Sequence, residues 1–142
     1  MSMREPILPR RLSQTARALE REITEALHDR GVWDLKPTQA RNLLLIDRTG
    51  TRLSELAQRA DITKQRMMQV IDELQSMGCV RRTPDPEDSR AKVVRLTAKG
   101  LRHRAEARRA LMAVEARARR QLGERRYDQL ASMLEELSSV EE

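Results

Sequence analysis

The residues of this chain with the most to offer chemically are hydrogen-bonding and cationic, and they fall in two clusters. The first is Thr63, Lys64, Gln65, Arg66 and Gln69. Gln can pair through two hydrogen bonds with adenine and Arg with guanine, while Lys suits a phosphate oxygen. Thr63 is a good helix N-cap, and a helix end presents free N–H groups to an anion. The second cluster is Arg81, Arg82, Arg90, Lys92 and Arg95, with Asp88 two residues before Arg90. An Arg on a loop tip fits a narrow minor groove, where negative potential is enhanced. Asp88 is expected to pair with an Arg and hold that tip in shape. Contacts of this kind suit a polyanion.

The apolar spacing predicts six helices and one hairpin to hold these side chains. Leu8, Leu12, Ala16, Leu19, Ile23 and Leu27 recur at steps of three and four, giving a helix over 7–30 that Gly31 stops. Pro37 opens a second helix, expected over 37–48. A third covers 53–60 with Leu53, Leu56, Ala57 and Ala60 inward. The fourth follows Thr63 and runs to Met77, with Met67, Val70, Ile71, Leu74 and Met77 as its buried stripe. The tight connection Asp61-Ile62-Thr63 gives the last two the spacing of a helix-turn-helix, whose second helix enters the major groove.

After Gly78 the period changes. Cys79–Thr83 and Lys92–Leu96 are β-prone runs, and Pro84-Asp85-Pro86-Glu87-Asp88-Ser89 between them is rich in turn formers. A basic hairpin directly after a candidate recognition helix reads as a wing. Thr97 then caps a long helix through Leu122, and Gly123 separates it from a last helix holding Tyr127, Leu130, Met133, Leu134 and Leu137. The fold class is therefore mainly α: a winged helix-turn-helix with a small β-hairpin wing and N- and C-terminal dimerisation helices.

The run from Arg82 to Gly100, with Asp88-Ser89-Arg90 and Leu96-Thr97-Ala98-Lys99-Gly100, resembles the wing of the MarR family of transcriptional regulators. Leu56-Ala57 and Val70-Ile71-Asp72-Glu73-Leu74 with Gly78 resemble that family's helix-turn-helix. The resemblance implies a homodimer with interlocked terminal helices and two winged lobes on a palindromic operator. It also implies repression relieved by a small molecule or an oxidant. By the same likeness Thr63, Lys64, Gln65, Arg66 and Gln69 match recognition-helix positions, and Asp88 and Arg90 the wing pair, with Lys92 beside them. Two positions depart from it. Asp61 stands where many relatives have Gly, and Asp tolerates a left-handed backbone better than most residues. Lys36 stands where a Thr commonly precedes the Pro, which weakens one cap.

One domain over 1–142 fits the length, with 36–97 as the winged lobe and 1–35 and 98–142 as dimerisation helices. The stripe Leu101, Ala105, Leu111, Met112, Val114, Ala118 and Leu122 exceeds what one small lobe can cover, which points to a dimer. Arg102 and Arg104 can add phosphate contacts. The net charge of +6, from 28 Lys and Arg against 22 Asp and Glu, suits nucleic acid or an anionic surface, though Arg-rich usage alone gives the same balance. A non-specific architectural binder is the alternative.

Other function classes find little footing. The sequence has no Gly-rich phosphate loop, no nucleophile beside a base, and no metal spacing around His28 or His103, so neither catalysis nor a metal or cofactor is expected. No run of about eighteen apolar residues exists, and Met1–Pro6 lacks the apolar stretch of a leader. With the single Cys79, this places the chain in the cytoplasm. Cys79 is expected to be buried against the wing, with a redox role unassigned. Trp33, His28 and Arg10 lie where an effector cleft is implied, but Trp33 could equally seal a dimer core, so the effector site stays unassigned.

Overall fold

The computed structural model describes residues 5–139, so the first four residues read for a leader lie outside the description. Six helices and three strands follow in the order α1 Leu8–Asp29, α2 Pro37–Leu43, β1 Thr51–Arg52, α3 Leu53–Ala60, α4 Lys64–Ser76, β2 Val80–Pro84, β3 Lys92–Leu96, α5 Ala98–Leu122 and α6 Glu124–Ser138. No helix among the described residues is long and apolar enough to cross a membrane.

One core joins the winged lobe to the long helices. Ile23 and Leu27 of α1 meet Leu43 and Ile46 near α2, Leu56 of α3, Met67, Ile71 and Leu74 of α4, and Ala107 and Ala110 of α5. Small residues on α5 let the helices approach closely, and aliphatic side chains fill the remainder. The outer halves of α1 and α5 and all of α6 stay uncovered. Leu8, Leu12, Leu19, Met112, Leu130, Met133, Leu134 and Leu137 are exposed.

Helix α2 is shorter than its apolar pattern predicts. Its last turn tightens, with the amides of Leu45 and Ile46 donating to Asn42 and Leu43, three residues back. The carbonyls that a longer helix would use are taken by guanidinium groups: Arg59 donates to Leu45 at 2.6 Å and Arg104 to Leu44 at 3.4 Å. Arg104 thus braces α5 against α2 instead of lying free for phosphate. At the other end of α2, Gln39 Oε1 accepts the Lys36 amide at 2.9 Å, half of a capping box that compensates for the missing Thr.

Three strands form where two were expected. Thr51 and Arg52 add an edge to β3, giving the antiparallel order β1-β3-β2, with Thr51 opposite Val94 and Arg82 opposite Val94 on the other side. A two-residue strand leaves no periodic signal, so only its partner reveals it.

The junction of α4, β2 and α5 explains the Leu-Thr-x-x-Gly spacing. Gly78 ends α4 with φ at 78°, a left-handed turn that few side chains tolerate. Thr97 then works three ways: its amide donates to the Cys79 carbonyl at 3.0 Å, its hydroxyl donates to the Gly78 carbonyl at 2.5 Å, and that hydroxyl accepts the Gly100 amide at 3.0 Å. Gly100 has no room for a side chain, since a Cβ there would stand 1.9 Å from the Cys79 carbonyl oxygen. Gly100→Ala is therefore expected to destabilise the protein by about 3 kcal/mol, the upper part of the range for overpacking a tight site. Thermal unfolding of the variant beside the parent checks this, and an unchanged midpoint would contradict the packing described.

Candidate nucleic-acid interface

The recognition segment is built by α3, a three-residue turn and α4. Leu53, Leu56 and Ala57 bury α3 against the core, while Met67, Val70, Ile71 and Leu74 bury α4. The turn is possible because Asp61 adopts φ 53° and ψ 47°, as its residue type allows. Thr63 caps α4, its hydroxyl accepting the Arg66 amide at 3.1 Å. With the apolar stripe turned in, Lys64, Gln65, Arg66 and Gln69 are exposed on one end of the helix.

Arg66 and Gln69 share a shallow pocket of about 200 Å³ with Lys36, Gln39 and Glu73, so α2 flanks the exposed face. Gln39 donates to Glu73 at 2.7 Å and ties the two helices together. At the far end of α4, Lys99 donates to the Met77 carbonyl at 2.7 Å and reaches Asp34 at 3.2 Å. The Asp34 carboxyl is held below its usual range by its hydrogen bond with His103, with Lys99 adding to the effect while burial opposes it. Both ties hold the C-terminal end of the helix and leave its N-terminal end open.

The wing cations divide into two groups. Arg82 turns back onto α4, pairing with Asp72 and donating to the Met68 carbonyl at 3.3 Å. Arg95 donates to Thr83 at 3.0 Å and to the Thr49 carbonyl at 2.7 Å. These two hold the sheet to the lobe. Arg81, Arg90 and Lys92 are exposed, and among the described residues none of their side chains is engaged in an ion pair.

Asp88 does not pair with an Arg as its position suggested. Its carboxylate accepts the backbone amide of Arg90 at 3.0 Å, a local turn made because the side chain is short enough to reach two residues on. The Asp–Arg pair that anchors the wing uses Asp85 and Arg52, at 2.6 Å, with Glu87 more distant at 3.7 Å from the same guanidinium. The Asp85 side chain is only 5% exposed, and its carboxylate also accepts the Glu87 amide at 2.9 Å. Sequence reading missed this pair because Arg52 lies on the strand it did not foresee. The tip then closes with the Asp85 amide donating to Ala91 and the Ala91 amide to Asp88. Thr63, Lys64, Gln65, Arg66 and Gln69 thus lie on one helix end, and Arg90 and Lys92 on a braced arm, with Asp88 shaping the arm's backbone.

The remaining singled-out residues lie elsewhere. Cys79 is fully buried just before β2, and burial pushes its thiol above the ordinary range, which disfavours the reactive thiolate. Trp33 is 71% exposed and stacks on His28 with ring centres 4.4 Å apart, so it seals nothing within one chain. Arg10 is exposed on α1. Among the described residues no three His, Cys, Asp or Glu side chains converge as a metal-holding group.

A capped helix braced by its predecessor across a short turn, followed by an antiparallel arm, is a winged helix-turn-helix. Residues 33–91 match the model of the MarR family, and the overall fold is shared with solved structures of transcriptional regulators. The transcriptional regulator PA4135 is 27% identical, with 97% of this chain and all of that one aligned at a TM-score of 0.70. A MarR variant from E. coli in complex with operator DNA is 21% identical, with 93% and 94% covered and a TM-score of 0.79. MepR from S. aureus, in complex with DNA, is 20% identical, with 98% and 100% covered and a TM-score of 0.77. At that identity the last two establish the fold alone. No protein of curated function matches the chain.

The anchoring of the wing gives a pH dependence with a definite sign. The Glu87 amide, first, and Arg52 after it hold the Asp85 carboxyl below its ordinary value of 3.8, while burial works against them. A carboxyl lowered in the folded state adds stability above its unfolded value, and that contribution is lost as pH falls through the folded value. The tip should therefore loosen below about pH 4, seen as faster exchange of the Glu87 and Arg90 amides. Asp85→Asn should exchange faster already at neutral pH and lose the acid dependence. Identical profiles for the two proteins would remove Asp85 from the anchoring of the wing.

Proposed function

We propose that this chain is a sequence-specific DNA-binding transcriptional regulator. In this reading it is a homodimeric repressor on a palindromic operator, released by a small-molecule effector. The observation that carries the reading is the joint exposure of Lys64, Gln65, Arg66 and Gln69 on a capped helix beside Arg90 and Lys92 on a braced arm. Groups that can read base edges and groups that neutralise phosphate then lie on neighbouring elements, as major- and minor-groove binding together require. The complexes of E. coli MarR and MepR with DNA, on the same fold, support it. A catalytic role forms no part of the proposal, and the cytoplasm is its proposed place of action.

Dimerisation is argued from area. Exposed Leu8, Leu12, Leu130, Met133, Leu134 and Leu137 on α1 and α6 form more apolar surface than isolated side chains on a monomer present. The lobe over 36–97 would then carry the DNA contacts, and 1–35 with 98–142 the pairing surface. Removing residues 1–30 would not test this, because Ile23 and Leu27 belong to the lobe's own core. The double variant Met133→Glu with Leu137→Glu alters exposed positions only, and should sediment as a folded monomer. A variant that still sediments as a dimer would place the interface elsewhere.

Binding makes a second pair of expectations. Arg90→Ala should weaken affinity for every duplex and reduce the salt slope by roughly two per dimer, one released counterion for each wing. Gln65→Ala should change the preferred sequence more than it changes non-specific affinity. Fluorescence titrations across salt concentrations, with site selection from a random duplex pool, check both. A parent that shows no preference over random DNA would favour the architectural binder instead.

A further inference from the structure

Among the described residues, the large apolar side chains left exposed are Ile7, Leu8, Leu12, Leu19, Trp33, Met68, Leu101, Met112, Leu130, Met133, Leu134 and Leu137. All but one lie on α1, the residues flanking it, α5 or α6, the elements whose outer faces a second copy would cover. The exception is Met68, 42% exposed in the second turn of α4. It is the single such residue between positions 36 and 97, and it lies on the helix that carries the polar reading groups.

The helical repeat fixes its neighbours. Gln65, Gln69 and Asp72, spaced by four and three, share the outermost strip of α4. Met68 lies one step round from that strip on the wing side, where its carbonyl accepts Arg82. Arg82 also pairs with Asp72 and so neutralises the carboxylate nearest to Met68. This corner of the helix therefore offers a flexible thioether side chain beside the Gln65 amide, without a net negative charge to repel DNA. In the major groove, the chemical feature that rewards an apolar contact is the 5-methyl group of thymine.

Resting on the DNA-reading function proposed above, we infer that Met68 is a specificity residue that recognises a thymine methyl group, beside the hydrogen-bonding contacts of Gln65 and Gln69. The contact is dispersive and desolvating, so it discriminates thymine from uracil, which pairs identically and lacks only the methyl.

The test uses the full chain and the duplex it selects from a random pool. Each thymine of that duplex is replaced in turn by deoxyuridine, and affinity is measured by fluorescence titration at fixed salt. The parent should lose about fourfold per half-site at one thymine position, the ratio expected for one buried methyl group. Met68→Ala should bind the thymine and uracil duplexes equally at that position, and Met68→Leu should restore most of the penalty. Both variants change an exposed side chain, and unchanged thermal unfolding verifies that they fold. A Met68→Ala protein with the parent's full uracil penalty overturns the inference, as does a parent indifferent to every replacement. Both results leave the DNA-reading function standing, since a site has been selected. A parent that selects no duplex overturns that function, and the inference with it.

Discussion

The close approach of α5 to the Cys79 carbonyl is the constraint on which the lobe depends. With no side chain at Gly100, the first turn of α5 lies directly on the start of β2, and Thr97 bonds both Gly78 and Cys79 across the gap. Three elements meet at that point: the end of the recognition helix, the first wing strand and the long helix that leaves the lobe. Their mutual orientation is set by backbone contact, which tolerates far less adjustment than side-chain packing does. Lys99, one residue earlier, then reaches from α5 to the Met77 carbonyl and to Asp34.

The wing obeys a similar logic at lower density. A hairpin that projects from a small sheet cannot be held by a core, since few apolar side chains reach it. Charge is used instead. Arg95 ties β3 to Thr83 and Thr49, Arg82 ties β2 to α4, and Arg52 on the opposite edge grips Asp85 near the tip. The cost is that two of the cations on the hairpin are taken up in its own support. A count of basic residues therefore overstates what the wing leaves free, and of the hairpin's cations Arg81, Arg90 and Lys92 are the exposed ones.

Much of this arrangement is legible in the sequence, for reasons that differ between elements. Helices α1, α4 and α5 announce themselves because each buries one stripe, so their apolar residues recur with the helical period. The capping roles of Thr63 and Thr97 and the left-handed Asp61 are local chemistry and can be read locally. The failures are non-local. Strand β1 exists only because β3 lies beside it, the shortening of α2 is enforced by Arg59 and Arg104 from other helices, and the Asp85–Arg52 pair spans thirty-three positions. Asp88 shapes the tip's backbone through a partner other than the one its position suggests. Its proximity to Arg90 in sequence suggested an ion pair, whereas a short side chain two residues away reaches the amide more readily than the guanidinium.

The long helices have a double duty that bears on how a signal could reach DNA. Ile23 and Leu27 on α1 and Ala107 and Ala110 on α5 belong to the same core as Met67 and Leu74 of the recognition helix. Other positions on α1 and α5, with all of α6, present apolar side chains outward. When two copies pair through those outward faces, a shift of α1 or α5 at the pairing surface cannot be absorbed before it reaches α4, because close-packed interiors transmit displacement. The separation of two recognition helices is then governed by the helices that carry no reading residue. An effector would need only to favour one spacing over another, by no more than its difference in affinity for the two.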